Sequence, residues 1–200
     1  MLINARSAAS TRAENALAAT ADLDAYMSPV EAVHALVHVE GERLLQVLWE
    51  YGAGTGNIVT ALRQSGRACY ASDIFDYGFS GTKIEDYADA VPEWDVEGVV
   101  TNPPFNRALE FLQKSISEVP YVAYLLRTNW FESTRRLPFF KEHPPTRVWV
   151  FSRRLPMMHR HGWTGPTAAS NVAYAWFVFD SHSDTKKVLG WVDWKTFATA

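Results

Sequence analysis

Leu44-Leu45-Gln46-Val47-Leu48-Trp49 runs without a break into Glu50-Tyr51-Gly52-Ala53-Gly54-Thr55-Gly56, and residues 57–65 then read as a helix. A strand, a glycine turn and a helix in that order form the ligand-binding corner of an open α/β sheet. Glycines at alternate positions let the backbone turn sharply and pass close to a ligand. Spacing narrows what that ligand can be. The dinucleotide fingerprint G-x-G-x-x-G needs a third glycine where this chain has Asn57, and no Gly-Lys-Ser/Thr follows to make a phosphate loop. The pattern is E-x-G-x-G-x-G.

The rest of the chain is consistent with such a sheet. Strand-like apolar runs cover 44–49, 68–72, 96–101, 121–126, 147–151 and 172–179, with helix-like segments at 57–65, 107–117 and 133–142. Alternation of strand and helix predicts a sheet covered on both faces. The last two strands are joined by residues 152–171, which carry no clear helix, so an antiparallel final strand would make the sheet mixed. Upstream, Ser28 is expected to cap a helix with Pro29 at its first position and Glu31 completing a capping box, and Gly41 is expected to end it. Two hundred residues suffice for one domain with a real core. Residues 1–21 read as a lead-in and 22–200 as a single domain.

Composition excludes several classes. A single cysteine, Cys69, cannot form an internal disulfide or a cysteine metal cluster; within its apolar run it is expected to be buried, in a cytoplasmic protein. No apolar run approaches the roughly 20 residues of a membrane span, and the Ala/Ser/Thr-rich start lacks the apolar centre of a signal peptide. The net charge of −3 is unevenly spread. Residues 1–100 carry 6 Lys/Arg against 15 Asp/Glu, and residues 101–200 carry 13 against 7. Residues 127–160 alone hold eight basic and two acidic residues, which suits either an anionic partner or an ordinary solvated face.

Three further motifs complete the pattern. Asp73 ends the second strand-like run, where a carboxylate can accept hydrogen bonds from both ribose hydroxyls; Ile74 follows it, and Asp76 competes for the role. Glu85-Asp86-Tyr87 is a short acidic–aromatic element. Val99-Val100-Thr101-Asn102-Pro103-Pro104-Phe105 ends the strand with a rigid Pro-Pro turn, 50 residues after Gly52.

Together these resemble S-adenosylmethionine-dependent amino-methyltransferases of the N6-adenine type, in particular the stand-alone enzymes of phages and mobile elements. The resemblance covers roughly residues 22–180 and is strongest at 24–29, 50–56 and 102–105. It implies a Rossmann-like α/β fold with a mixed, mainly parallel seven-stranded sheet and helices on both faces. S-adenosyl-L-methionine would be bound by Glu50, Gly52, Gly54, Gly56, Asp73, Ile74 and Asn102, with Asp86 accepting from the adenine amine of the cofactor and Tyr87 beside it. Asp24-Ala25-Tyr26-Met27-Ser28-Pro29 resembles the family's Tyr-x-Thr/Ser-Pro element, so Tyr26, Ser28 and Pro29 would close over the methionine end.

The resemblance also implies the chemistry. An adenine amine is a poor nucleophile because its lone pair is delocalised into the ring. The Asn102 side-chain oxygen and the Pro103 carbonyl would each hold one amine hydrogen and favour a pyramidal nitrogen, while Pro104 stiffens the turn and Phe105 stacks on the base. Catalysis would then be mostly positioning and electrostatics, and no His/Asp or Cys/His pair supplies a strong base. Residues 152–171 are the candidate substrate loop. Arg153, Arg154 and Arg160 suit phosphate contact and Trp163 base stacking. His159 and His161 make too small a ligand set for a metal. Nucleic acid, DNA before RNA, is the expected partner. A protein glutamine as acceptor and a non-catalytic cofactor-binding subunit remain alternatives.

Overall fold

The structure is a computed structural model that describes residues 27–92, 95–157, 171–184 and 187–198. Its framework is one eight-stranded sheet: β1 (Val47–Glu50), β2 (Ala68–Asp73), β3 (Thr82–Ile84), β4 (Gly98–Thr101), β5 (Tyr121–Arg127), β6 (Arg147–Phe151), β7 (Tyr174–Asp180) and β8 (Val188–Val192). The spatial order is β3-β2-β1-β4-β5-β7-β6-β8. Neighbours from β3 to β5 are parallel, β7 is antiparallel to both β5 and β6, and β8 returns parallel to β6.

The chain steps outward from β1 to β3 and then crosses back to place β4 on the other side of β1. The gap between β1 and β4 is therefore a topological switch point. In open α/β sheets, ligands bind outside the carboxyl ends of the strands at such a point. Because β7 runs opposite to its neighbours, the ends of β1, β4, β5 and β6 share one rim of the sheet with the start of β7.

Helices cover both faces. On one, α1 (Val30–Glu40) and α2 (Asn57–Gln64) bury Ala32, Val33, Ala35, Leu36, Ile58, Val59, Ala61 and Leu62 against Leu48, Cys69, Val100, Ala123 and Trp176. On the other, α3 (Ala108–Glu118) and α4 (Leu137–Glu142) bury Ala108, Phe111, Leu112 and Phe139 against Trp49, Val99, Val122, Tyr124 and Phe177. Each fully buried Leu or Phe stabilises the fold by about 1.5–3 kcal/mol, so the two apolar faces hold the rim in place. Cys69 is buried, as its apolar run predicts.

Three expectations are corrected. The sheet has eight strands, not seven. β8 eluded the hydropathy pattern because it is an edge strand whose Leu189 and Trp191 are exposed at 59% and 65%, and β3 because it is three residues long and polar. Ser28 does not cap α1. Pro29, extended at φ −67°, is the residue at the cap, no side chain bonds to the free N–H groups, and Ser28 is buried. The helix expected over 133–142 is shorter, Leu137–Glu142, because Pro138 has no N–H to donate back and fits only the first turn of a helix. Gly41 ends α1 at φ 56°, as expected. The lead-in 1–21 lies outside the described residues.

Candidate active site

Glu50 is the last residue of β1 and is fully buried. Its Oε1 accepts from the Gly52 N–H at 2.9 Å and from the Thr101 hydroxyl at 2.5 Å. Its Oε2 is buried with no hydrogen-bond partner among the described residues. Burial pushes its carboxyl up to about 8 against the opposing pull of those two hydrogen bonds. A buried acceptor left in this way is costly unless a donor or cation arrives to meet it.

The glycine turn is pinned to its neighbours. The Ala53 N–H donates to the Ser72 carbonyl at 3.1 Å and the Gly54 N–H to Asp73 Oδ2 at 2.8 Å. Gly56 sits at φ 80° just ahead of α2, and a Cβ there would lie 2.2 Å from the ring of Phe79. Only glycine fits both requirements. Asn57, the residue that breaks the dinucleotide fingerprint, donates from Nδ2 to the Ser28 carbonyl at 2.9 Å. The Ser28-Pro29 element is thereby tied to the start of α2, beside the glycines.

Asp73 ends β2, and Oδ1 also accepts from the Phe75 N–H at 3.1 Å. Burial raises its carboxyl above the usual range. Ile74 is exposed at the rim, and Asp76 is exposed and caps its own turn at Gly78. The Glu85 N–H donates to the Asp73 carbonyl at 2.9 Å, which brings the acidic element to the same corner. Both Asp86 oxygens accept from Arg107 Nη1, at 3.0 and 2.9 Å, and Oδ1 also takes the Ala88 N–H. Tyr87 turns inward: it is buried, stacks on Tyr51, and its hydroxyl meets that of Ser115 at 2.8 Å.

Asn102-Pro103-Pro104-Phe105 leaves the end of β4 across the switch point. A Cβ placed on Gly52 would lie 3.6 Å from Thr101 Oγ1 and 3.8 Å from the Asn102 carbonyl oxygen, so the two motifs share one wall. Asn102 is half-buried and its Oδ1 is buried; Pro103 is buried. The Pro104 carbonyl accepts from the Arg107 N–H at 3.1 Å, which turns the chain into α3. Phe105 is half-buried, with the Arg127 guanidinium over its ring at 4.3 Å and the Tyr174 ring 6.5 Å away.

The structure thus gathers Ser28, Pro29, Glu50, Gly52, Gly54, Gly56, Asp73, Asp86, Asn102 and Phe105 along one rim. The basic loop starts from that rim at the end of β6, but Arg153 is held by Asp193 at 2.7 Å, and Arg154 is exposed. Tyr26, His159, Arg160, His161 and Trp163 lie outside the described residues. Four site residues went unread in the sequence: Thr101, Phe79, Arg107 and Arg127. Arg127 left a usable signal, since a lone charge closing the buried run of β5 sits where a parallel strand presents ligand-facing groups. Arg107 and Phe79 left none, because Asp86 and Gly56, which they meet at the site, are distant in sequence.

The chain matches no protein-family profile and no curated protein sequence. Solved structures share its fold. A protein assigned as an RNA methyltransferase from Pyrococcus horikoshii aligns with a TM-score of 0.58 at 16% identity, over 78% of this chain and 86% of that one. A protein assigned as a class I S-adenosylmethionine-dependent methyltransferase from Listeria monocytogenes aligns at 0.57 and 12%, over 83% and 65%. The modification subunit assigned to a type I restriction enzyme of Vibrio vulnificus aligns at 0.57 and 12%, over 86% and 48%. The chain therefore spans about two thirds of the second protein and about half of the third. Its fold is the Rossmann-like fold of S-adenosylmethionine-dependent methyltransferases. A magnesium protoporphyrin IX methyltransferase from Synechocystis, which shares the fold at a TM-score of 0.51 and 13% identity, holds that cofactor. Among the described residues no helix is long and apolar enough to cross a membrane.

Proposed function

We propose that this protein is an S-adenosylmethionine-dependent methyltransferase that methylates the exocyclic amine of adenine in nucleic acid, DNA before RNA. The observation that carries this reading is the junction at the switch point, where the Asn102-Pro-Pro-Phe turn abuts the glycine turn beneath Glu50.

The residues present fit the cofactor. Glu50 Oε2 is a buried acceptor suited to an ammonium group, the bare backbone at Gly52 and Gly54 admits close approach, and Asp73 stands at the end of β2 where a ribose diol would lie. S-adenosylmethionine supplies a sulfonium methyl group. The chain supplies the acceptor's position: Asn102 and the Pro103 carbonyl hold the two amine hydrogens, and Phe105 offers a stacking face. A paired adenine has its amine engaged and its faces covered, so the target is a flipped or single-stranded base. Arg153, paired with Asp193 yet exposed, and Arg154 are the loop's phosphate contacts among the described residues.

Incubation with methyl-labelled cofactor and a panel of DNA, RNA and glutamine-bearing peptides tests the reading. Label is expected on adenine. Asn102→Ala should lose most turnover yet keep cofactor affinity, and an unchanged rate would remove Asn102 from the chemistry.

A further inference from the structure

Arg127 is the last residue of β5, the strand beside β4, where Thr101 pairs with Tyr124. It therefore reaches the rim on the acceptor side of Asn102. Its guanidinium lies over the Phe105 ring at 4.3 Å, and its Nε donates to the Tyr174 hydroxyl at 3.4 Å from the paired position on β7. Tyr174 is itself buried, so this stem is held from below. The two terminal nitrogens make no hydrogen bond and no ion pair to any described residue. Of the other half-buried or buried arginines, Arg67 gives its terminal nitrogens to Ser65 and the Gly41 carbonyl, and Arg136 lies over the Trp130 ring with its Nε on the Trp130 carbonyl. Arg107 faces Asp86 and Glu110, and Arg147 faces Glu40 and Asp180.

A half-buried guanidinium with no carboxylate beside it among the described residues can meet an anion that arrives from outside. Its planar fork of N–H donors fits a phosphate in two-point contact. The ring beneath it belongs to the turn proposed to hold the acceptor. We propose that Arg127 binds the phosphodiester flanking the target nucleotide, and so selects a nucleotide over a neutral glutamine amide. This rests on the nucleic-acid reading above and deepens it. Arg127 and Phe105 then act as one unit: the ring takes the base and the cation above it takes the adjoining phosphate. A glutamine side chain would leave that cation unmet.

The test uses wild type, Arg127→Met and Arg127→Lys, each first checked for folding by circular dichroism and urea midpoint. The probes are a single-stranded oligonucleotide with one adenine, in deoxyribose and ribose forms, and the same oligonucleotides with neutral methylphosphonates flanking that adenine. For wild type, neutralising the phosphates should weaken binding about tenfold. Arg127→Met should show the same loss on the natural backbone and no further loss on the neutral one, and Arg127→Lys should recover part of it. Equal sensitivity to methylphosphonate in wild type and Arg127→Met would overturn the assignment and leave Arg127 as a support for Phe105. A wild type that binds S-adenosylmethionine but neither binds nor methylates either oligonucleotide would overturn the nucleic-acid reading itself, a distinct result.

Discussion

The ring of Tyr51 lies on the ring of Tyr87, with centroids 3.7 Å apart and planes 11° from parallel, and a chain of buried hydroxyls joins the two residues. Tyr51 donates to Tyr124 at 2.7 Å, Tyr124 meets Ser115 at 2.7 Å, and Ser115 meets Tyr87 at 2.8 Å. Tyr51 follows Glu50, and Tyr87 follows Asp86. The stack therefore fixes the spacing between the two acidic ends of the candidate cofactor site. Ser115→Ala removes the middle of this chain, leaving the Tyr87 hydroxyl without its partner and Tyr124 with Tyr51 alone. It should cost about 1–3 kcal/mol in urea unfolding, and weaken cofactor binding in calorimetry more than any substitution at exposed positions of α3.

Glu50 gives a pH dependence of known sign. Its carboxyl is raised from 4.5 to about 8 in the folded protein, so the native state holds a proton that the unfolded chain has lost. Stability from this group is fullest below pH 4.5 and declines as pH rises through 8. Glu50→Gln should flatten that slope in urea midpoints measured across the window. A ligand ammonium at Oε2 favours the ionised form, so wild-type cofactor binding should release protons between these values. Calorimetry in buffers of different ionisation enthalpy measures this release, and Glu50→Gln should abolish it.

Gly56 and Phe79 form a lock between the glycine turn and the loop after β2. Gly56→Ala meets two penalties, a positive φ of 80° and a ring 2.2 Å from the new carbon. A loss of about 1–3 kcal/mol is expected. Phe79→Ala in the same chain should relieve the clash but not the backbone strain, so a double-mutant cycle should recover part of the loss and never all of it.

Arg147 and Glu40 anchor the opposite end of the sheet. Glu40, 1% exposed at the end of α1, accepts from Arg147 Nε and Nη2, from Trp149 Nε1 at 2.6 Å and from the Tyr121 hydroxyl at 3.2 Å. Glu40→Ala leaves a buried guanidinium with only Asp180 to oppose it and should destabilise by about 3–5 kcal/mol. Far from the rim, it should leave the cofactor affinity of the folded fraction unchanged, which calorimetry below the unfolding transition measures.

Local patterning made the frame legible. The apolar runs of β1, β2, β4, β5, β6 and β7, the glycines of the turn and the Pro-Pro stop all act within a few residues of themselves, through alternation, positive φ and fixed φ. Their order along the chain also suffices to set Asp73 and Asn102 at strand ends. Edge strands β3 and β8 were not legible, because a strand half in water carries no continuous apolar run. Nor was the fate of particular polar groups. Tyr87 and Asp86 are neighbours in sequence, yet one is core and the other is held by Arg107. Arg153 and Arg127 are both basic, yet one pairs with Asp193 and the other stands over Phe105 with no carboxylate beside it among the described residues. Pattern along the chain set which strand ends and turns reach the rim. Which side chains meet there was settled by folding, because a charge finds its partner across strands that are distant in the chain and adjacent in the sheet.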